Sequence, residues 1–291
     1  QGRPCNAGED AAWAWGLTSK LRRRRASGCR LERPVRRLYP KRTNMTPYHG
    51  TPCGGSRQDT ARFLRGRQAL VPYPRSEDLG IVAEVCKSFV FDNGAFSAWT
   101  KGLPMDVPGY IAWCDEWSRH PGFDWALIPD VIDGDEAAND ALLADWPRSV
   151  RGVPVWHLHE SIDRLVRLGN EWPTVALGSS GEWRTPGTAA WWQRMGAALN
   201  ALCDDQGRPP CRLHGLRMLD PAVFSRLPLT SADSTNAAVN AGSLDRFGMY
   251  LPPTSAQRAA VIAERIEAHN SAAIWNRQPL QESIECSHLL F

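Results

Sequence analysis

Short β-prone apolar runs that end in a polar residue alternate along this chain with amphipathic helical patterns, and no other feature restricts its fold so tightly. The clearest runs are Ser88-Phe-Val-Phe-Asp92, Trp125-Ala-Leu-Ile-Pro-Asp130 and Val153-Pro-Val-Trp-His157. Thr174-Val-Ala-Leu-Gly178, Arg212-Leu-His-Gly-Leu-Arg217 and Leu229-Thr-Ser-Ala-Asp233 follow, and the weaker Pro47-Tyr-His49 and Ala69-Leu-Val-Pro-Tyr73 precede them. Between them Tyr110, Trp113, Cys114 and Trp117 fall on one helix face, as do Ile162, Leu165 and Val166, and Trp192, Met195 and Leu199. A last helix is expected over Ser255 to His269, with Ala259, Ile262 and Ile266 inward. Apolar strands alternating with such helices imply a parallel sheet covered by helices. Eight units in about 250 residues predict an α/β fold, a (β/α)8 TIM-like barrel of parallel strands with outer helices. A doubly wound open sheet is the alternative, but no G-x-G-x-x-G follows the first strand.

The rhythm begins only at Met45, where the charge also changes. Residues 1–44 carry a net charge of +9, including the run Arg22-Arg-Arg-Arg25, whereas residues 45–291 carry −6. The expectation is a disordered basic extension over 1–44, upstream of the true start at Met45, and a single barrel domain over 45–291. The functional alternative for the extension is a nucleic-acid-binding arm, since Lys and Arg clusters neutralise phosphates. Apolar residues at 43% and charged residues at 22% exclude bulk disorder. No apolar run is long enough for a membrane-spanning helix. The eight cysteines lack any C-x-x-C pair, and Cys286 with His288 are too few for a structural zinc. Reduced thiols, a cytoplasmic location and no metal or cofactor are the expectations.

Active sites of such barrels sit at the C-terminal ends of the strands. That face would present Asp92, Asp130, His157, His159, the Gly178-Ser179-Ser180-Gly181 turn, His214 or Arg217, and Asp233. Carboxylates converging there suit general acid/base work and nucleophilic attack at a sugar carbon. Each also has a simpler reading. A strand-end Asp caps helices or closes turns, and Asp92 before Asn93-Gly94 is a turn former. The 13 tryptophans are expected in core and helix packing, with one or two rings free to stack on a base.

Phe91-Asp-Asn-Gly-Ala-Phe96 resembles the Asp-Ser-Gly-Gly-Phe segment of the tRNA-guanine transglycosylases, which are (β/α)8 barrels. Val175-Ala-Leu-Gly-Ser-Ser-Gly-Glu182 resembles their Ala-(Leu/Ile)-Gly-Gly…Gly-Glu segment, and Ala232-Asp-Ser-Thr235 sits where they carry a late Asp-Ser-Phe-Asp. The three segments occur in the family's order over roughly residues 88–240. The body is more similar to the divergent phage and bacterial branch, the DpdA type, whose members place 7-deazaguanine bases in DNA.

The resemblance implies that Asp92 serves in general acid/base chemistry and that Asp233 is the nucleophile that attacks C1′ and expels guanine. It implies that Asp130 reads guanine N–H groups and that the amides of Gly178 and Ser179 face the base carbonyl. Ser179 replaces a family glycine, and His157 or His159 stands near a family glutamine. Asp220 and Asp245 are the alternatives for the nucleophile. The family's zinc site and tRNA-binding extension have no counterpart here, which makes DNA the expected partner in place of tRNA. A 7-deazaguanine base would be the co-substrate, with accessory proteins from neighbouring genes. Two other functions fit the same strand ends: a glycosidase or nucleosidase-type hydrolase, and a catalytically silent nucleic-acid-binding barrel.

Overall fold

The computed structural model describes residues 44–51, 56–243 and 247–277. The expectations for the basic extension up to residue 43, and those for Asp245, Cys286 and His288, lie outside these residues.

Nine strands, all paired in parallel, run in the order β5-β4-β3-β2-β1-β9-β8-β7-β6. They are β1 (Thr46–Gly50), β2 (Gln68–Pro72), β3 (Ser88–Asp92), β4 (Phe123–Leu127), β5 (Gly152–Val153), β6 (Val155–His157), β7 (Thr174–Gly178), β8 (Arg212–Gly215) and β9 (Ser231–Ser234). The first and last members of that order, β5 and β6, are consecutive in the chain and parted only by Pro154. Proline has no N–H to give to a ladder, so the strand breaks there. Its neighbours keep the pairing on both sides: Ile128 N donates to Val153 O, and Ala176 N to Pro154 O, each at 2.9 Å. The sheet therefore returns to its starting strand and closes as the expected (β/α)8 barrel of eight strand positions.

Every expected strand is present, with shifts at the ends. The run through Asp130 leaves the sheet after Leu127, and the run through Arg217 leaves it after Gly215. The helices are α1 (Arg57–Leu64), α2 (Leu79–Val85), α3 (Ala95–Lys101), α4 (Val107–Trp117), α5 (Glu136–Ala144), α6 (Ile162–Glu171), α7 (Ala189–Leu202), α8 (Pro221–Phe224), α9 (Asn236–Asn240) and α10 (Ser255–Glu267), of which α4, α6, α7 and α10 are the expected ones. Side-chain oxygens of Asp106, Ser161, Thr188 and Thr254 cap the N-termini of these four, and Thr254 with Gln257 forms a full capping box. In α6 the expected inward Val166 is only half-buried, while Arg164 is buried in its place. The reason is a buried partner: Arg164 Nη1 lies 2.7 Å from Glu160 Oε2.

Alternation along the strands separates two apolar layers. Val71, Phe89, Phe91, Trp156, Val175, Leu177 and Leu213 point outward and pack under the helices. Tyr48, Leu70, Val90, Leu127, Val153, Val155 and Ala176 fill the barrel interior. The four described cysteines are free thiols, with Cys114, Cys203 and Cys211 buried. Among the described residues, no helix is long and apolar enough to cross a membrane, and no cluster of His, Cys, Asp and Glu is arranged to hold a metal ion.

Candidate active site

Two residues past an inward-facing position, a strand again faces inward. Asp92 follows Val90, His157 follows Val155, Gly178 follows Ala176 and Asp233 follows Ser231, so these four form the innermost ring at the C-terminal mouth. Asp130 joins them from the loop after β4.

Asp92 ends β3, and its Oδ1 accepts from Gly94 N at 3.1 Å. Gly94 has φ +77, and a Cβ there would meet the Pro74 ring at 2.5 Å, so only glycine fits. The turn-forming reading of Asp92-Asn93-Gly94 thus holds, and it aims the carboxyl into the mouth. Burial raises the Asp92 pKa to about 7, the nearby charges of Asp233 and Asp130 push the same way, and the Gly94 N–H and Arg217 oppose them. The three acids therefore share one electrostatic site.

Asp233 is buried. Its Oδ1 accepts from Arg217 N at 3.1 Å and from His214 Nε2 at 3.2 Å. His214 is fully enclosed below it, its Nδ1 2.9 Å from Ser231 Oγ and its ring edge-on to Trp125. His214 thus supports Asp233 from inside the barrel and does not line the mouth. Asp233 Oδ2 has no hydrogen-bond partner among the described residues. Asp220 caps the short helix α8 (Pro221–Phe224) through Ala222 N.

Asp130 is held on both oxygens. Asn93 Nδ2 donates to Oδ1 at 2.6 Å and His157 Nε2 to Oδ2 at 2.7 Å. With its Nε2 hydrogen directed at a carboxylate, a neutral His157 carries a bare Nδ1, and that atom is buried without a partner among the described residues. Gly178 makes room for this ring, since a Cβ there would lie 2.9 Å from Nδ1. His159 stacks near-parallel on His157, its Nε2 donating to Gly134 O at 3.1 Å. Ser180 Oγ must then donate to His159 Nδ1, at 2.7 Å. Ser179 turns its side chain away from the mouth and accepts from Trp191 Nε1 at 2.9 Å. Gly181 takes φ +57 and closes the turn.

Two features have no counterpart among the sequence expectations, and a third, the conformation of Arg217, adds to a residue expected at this face. Asn93 is the bridge between the Asp92 turn and Asp130. Behind the histidines, buried Glu160 accepts from His157 N, Asn139 Nδ2 and Arg164 Nη1. Arg217 combines a left-handed backbone, φ 56, with a guanidinium 3.9 Å from the ring centre of half-exposed Phe96.

No model of a protein family matches the sequence, and no curated protein matches it. Among solved structures the chain is similar to a mutant tryptophan synthase α-subunit from Pyrococcus furiosus at 12% identity and TM-score 0.49, over 77% of this chain and 98% of that one. It is also similar to a candidate fructose-1,6-biphosphate aldolase from Coccidioides immitis at 13% identity and TM-score 0.42, over 78% and 90% of the two chains. Likenesses this remote say nothing about activity; the barrel itself rests on the closed strand order.

Proposed function

We propose that the protein is a glycosyl-transferring enzyme that exchanges guanine in DNA for a 7-deazaguanine base through a covalent aspartyl intermediate. One observation carries this reading: Asp92 and Asp233 face the same mouth in opposite environments. Asp233 is surrounded by N–H donors, as a carboxylate requires, and keeps one oxygen unengaged. Asp92, with its pKa near 7, holds a proton at neutral pH in a large fraction of molecules. A carboxyl group that holds a proton, set across the mouth from one that accepts two N–H groups and keeps an oxygen free, supplies an acid beside a nucleophile.

Asp233 Oδ2 attacks C1′ of a nucleotide flipped out of the duplex, and the C1′–N bond to guanine breaks as Asp92 gives its proton to the departing purine. Asp92 then takes the N–H proton of the incoming base, whose nitrogen attacks C1′ and releases Asp233. Two inversions leave the configuration unchanged. Asp130 with the β6 and β7 loops would read the purine. The three sequence segments similar to the guanine transglycosylases support the choice of base; water as the second nucleophile would make the same site a hydrolase.

The test is incorporation of labelled guanine or a 7-deazaguanine into an oligonucleotide, with denaturing gels to trap the adduct. Asp233→Asn is expected to lose both signals while keeping the fold. Wild type that neither traps DNA nor incorporates a base overturns the proposal, and base release without incorporation moves it to hydrolysis.

A further inference from the structure

The mouth described above is an anionic place for a polyanion to enter. Asp92, Asp130 and Asp233 act on one another there, and residues 45–291 are acidic overall. A nucleic-acid strand needs a cation at this spot, and Arg217 is the positive charge whose field reaches Asp92. Its guanidinium is exposed and makes no hydrogen bond or ion pair among the described residues; only its stacking on Phe96 holds it. Arg194, behind the neighbouring loop, is by contrast engaged with the carbonyls of Leu158 and Glu160.

The backbone at Arg217 is unusual in the same direction. A non-glycine residue at φ 56 is strained, and such strain persists where surrounding contacts enforce it. Here the left-handed turn lets Arg217 N donate to Asp233 Oδ1 while the side chain lies across Phe96 beside Asp92. One residue therefore ties the position of a cation with five N–H donors to the carboxylate that attacks the sugar.

We propose that Arg217 is the phosphate anchor of this site, its guanidinium taking a phosphodiester next to the reacting nucleotide. The inference rests on the nucleic-acid reading of the function and names the contact that admits the strand. A guanidinium matches a phosphate in bidentate fashion and stacks on an aromatic ring, which an ammonium does less well. Phe96 parks the cation when no phosphate is present.

The experiment compares binding of 2′-deoxyguanosine 5′-monophosphate, 2′-deoxyguanosine and a single-stranded oligonucleotide to the full chain, by calorimetry over a range of salt. Wild type is expected to prefer the monophosphate to the nucleoside. In Arg217→Gln that preference falls roughly 10-fold or more, nucleoside binding is unchanged, and the salt slope for the oligonucleotide drops by about one. Arg217→Lys recovers only part of the loss. Arg217→Gly shows the same loss with a higher melting temperature, because glycine releases the strain. An unchanged phosphate preference and salt slope in Arg217→Gln overturns the proposal, even if base exchange is observed. Phosphate preference that depends on residue 217 in a protein that never exchanges a base upholds the anchor and overturns the transglycosylase reading alone. Wild type that binds none of the three ligands overturns both.

Discussion

Asp130 Oδ2 accepts from His157 Nε2 at 2.7 Å while Asp130 Oδ1 accepts from Asn93 Nδ2, so this buried carboxylate joins the loops after β3 and β4 to the end of β6 before any ligand arrives. The purine-reading role proposed for Asp130 is thus inseparable from its role in holding the mouth together. Asp130→Asn must turn its amide toward Asn93, where a donor meets a donor, or toward His157, whose hydrogen then moves to the buried Nδ1. The variant is expected to lose on the order of 1–3 kcal/mol of stability as well as purine affinity. Chemical denaturation measures the first and calorimetry the second; an unaltered melting curve would mean that the pairing contributes nothing.

Asp92 should make the protein sensitive to pH. Its carboxyl titrates near 7 in the fold, against about 3.9 in an unfolded chain. Between these values the native state holds a proton that the unfolded state has released, so stability falls as pH rises through the interval. Asp130, Asp233 and Arg217 are the charges that face it. Asp92→Asn is expected to be more stable than wild type at pH 8 by roughly 1–3 kcal/mol, with the gain shrinking toward pH 4. Turnover should fall roughly 10²–10⁴-fold in the same variant. Melting curves at pH 5 and pH 8 check the sign.

Gly178 is a spacing device for His157. In Gly178→Ala the new methyl would lie 2.9 Å from Nδ1 of a ring already pinned to Asp130. Overpacking of this kind costs about 1–3 kcal/mol. The distinguishing readout is the His157 imidazole resonance, which should shift in Gly178→Ala and stay in place in Gly80→Ala, where a Cβ meets nothing within 4 Å.

Glu160 and Arg164 form a buried ion pair behind the two histidines, with Arg164 also reaching Val155 O. Glu160→Gln leaves the guanidinium with only the half-exposed Asp140 as a charged partner, 3.0 Å from its Nε, and is expected to cost about 1–3 kcal/mol. Replacing both residues by methionine should not recover that loss, because His157 N and Asn139 Nδ2 then lose their buried acceptor. Urea titrations of the two variants and wild type decide it, and equal stability of Glu160→Gln and wild type would show the pair to be idle.

The barrel was legible because hydrophobic alternation is a local property. All eight expected strands lie where the β-prone runs stand, and α4, α7 and α10 follow the apolar spacing at Tyr110, Trp192 and Ile262. Strand-end polarity placed Asp92, His157 and Asp233 at one mouth for the same reason: a residue two past an inward position also points inward. Asp130 reaches that mouth from the loop after β4. The Asn93 bridge, the burial of Arg164, the Asp220 cap, the direction of Ser179 and the left-handed Arg217 were settled by tertiary structure. Asn93 meets Asp130 across 37 residues and Asp130 meets His157 across 27, so neither pairing exists until β3, β4 and β6 take their places around the closed sheet. Periodicity says which way a side chain points. What it meets there depends on which strand lies opposite, and closure of the barrel sets that.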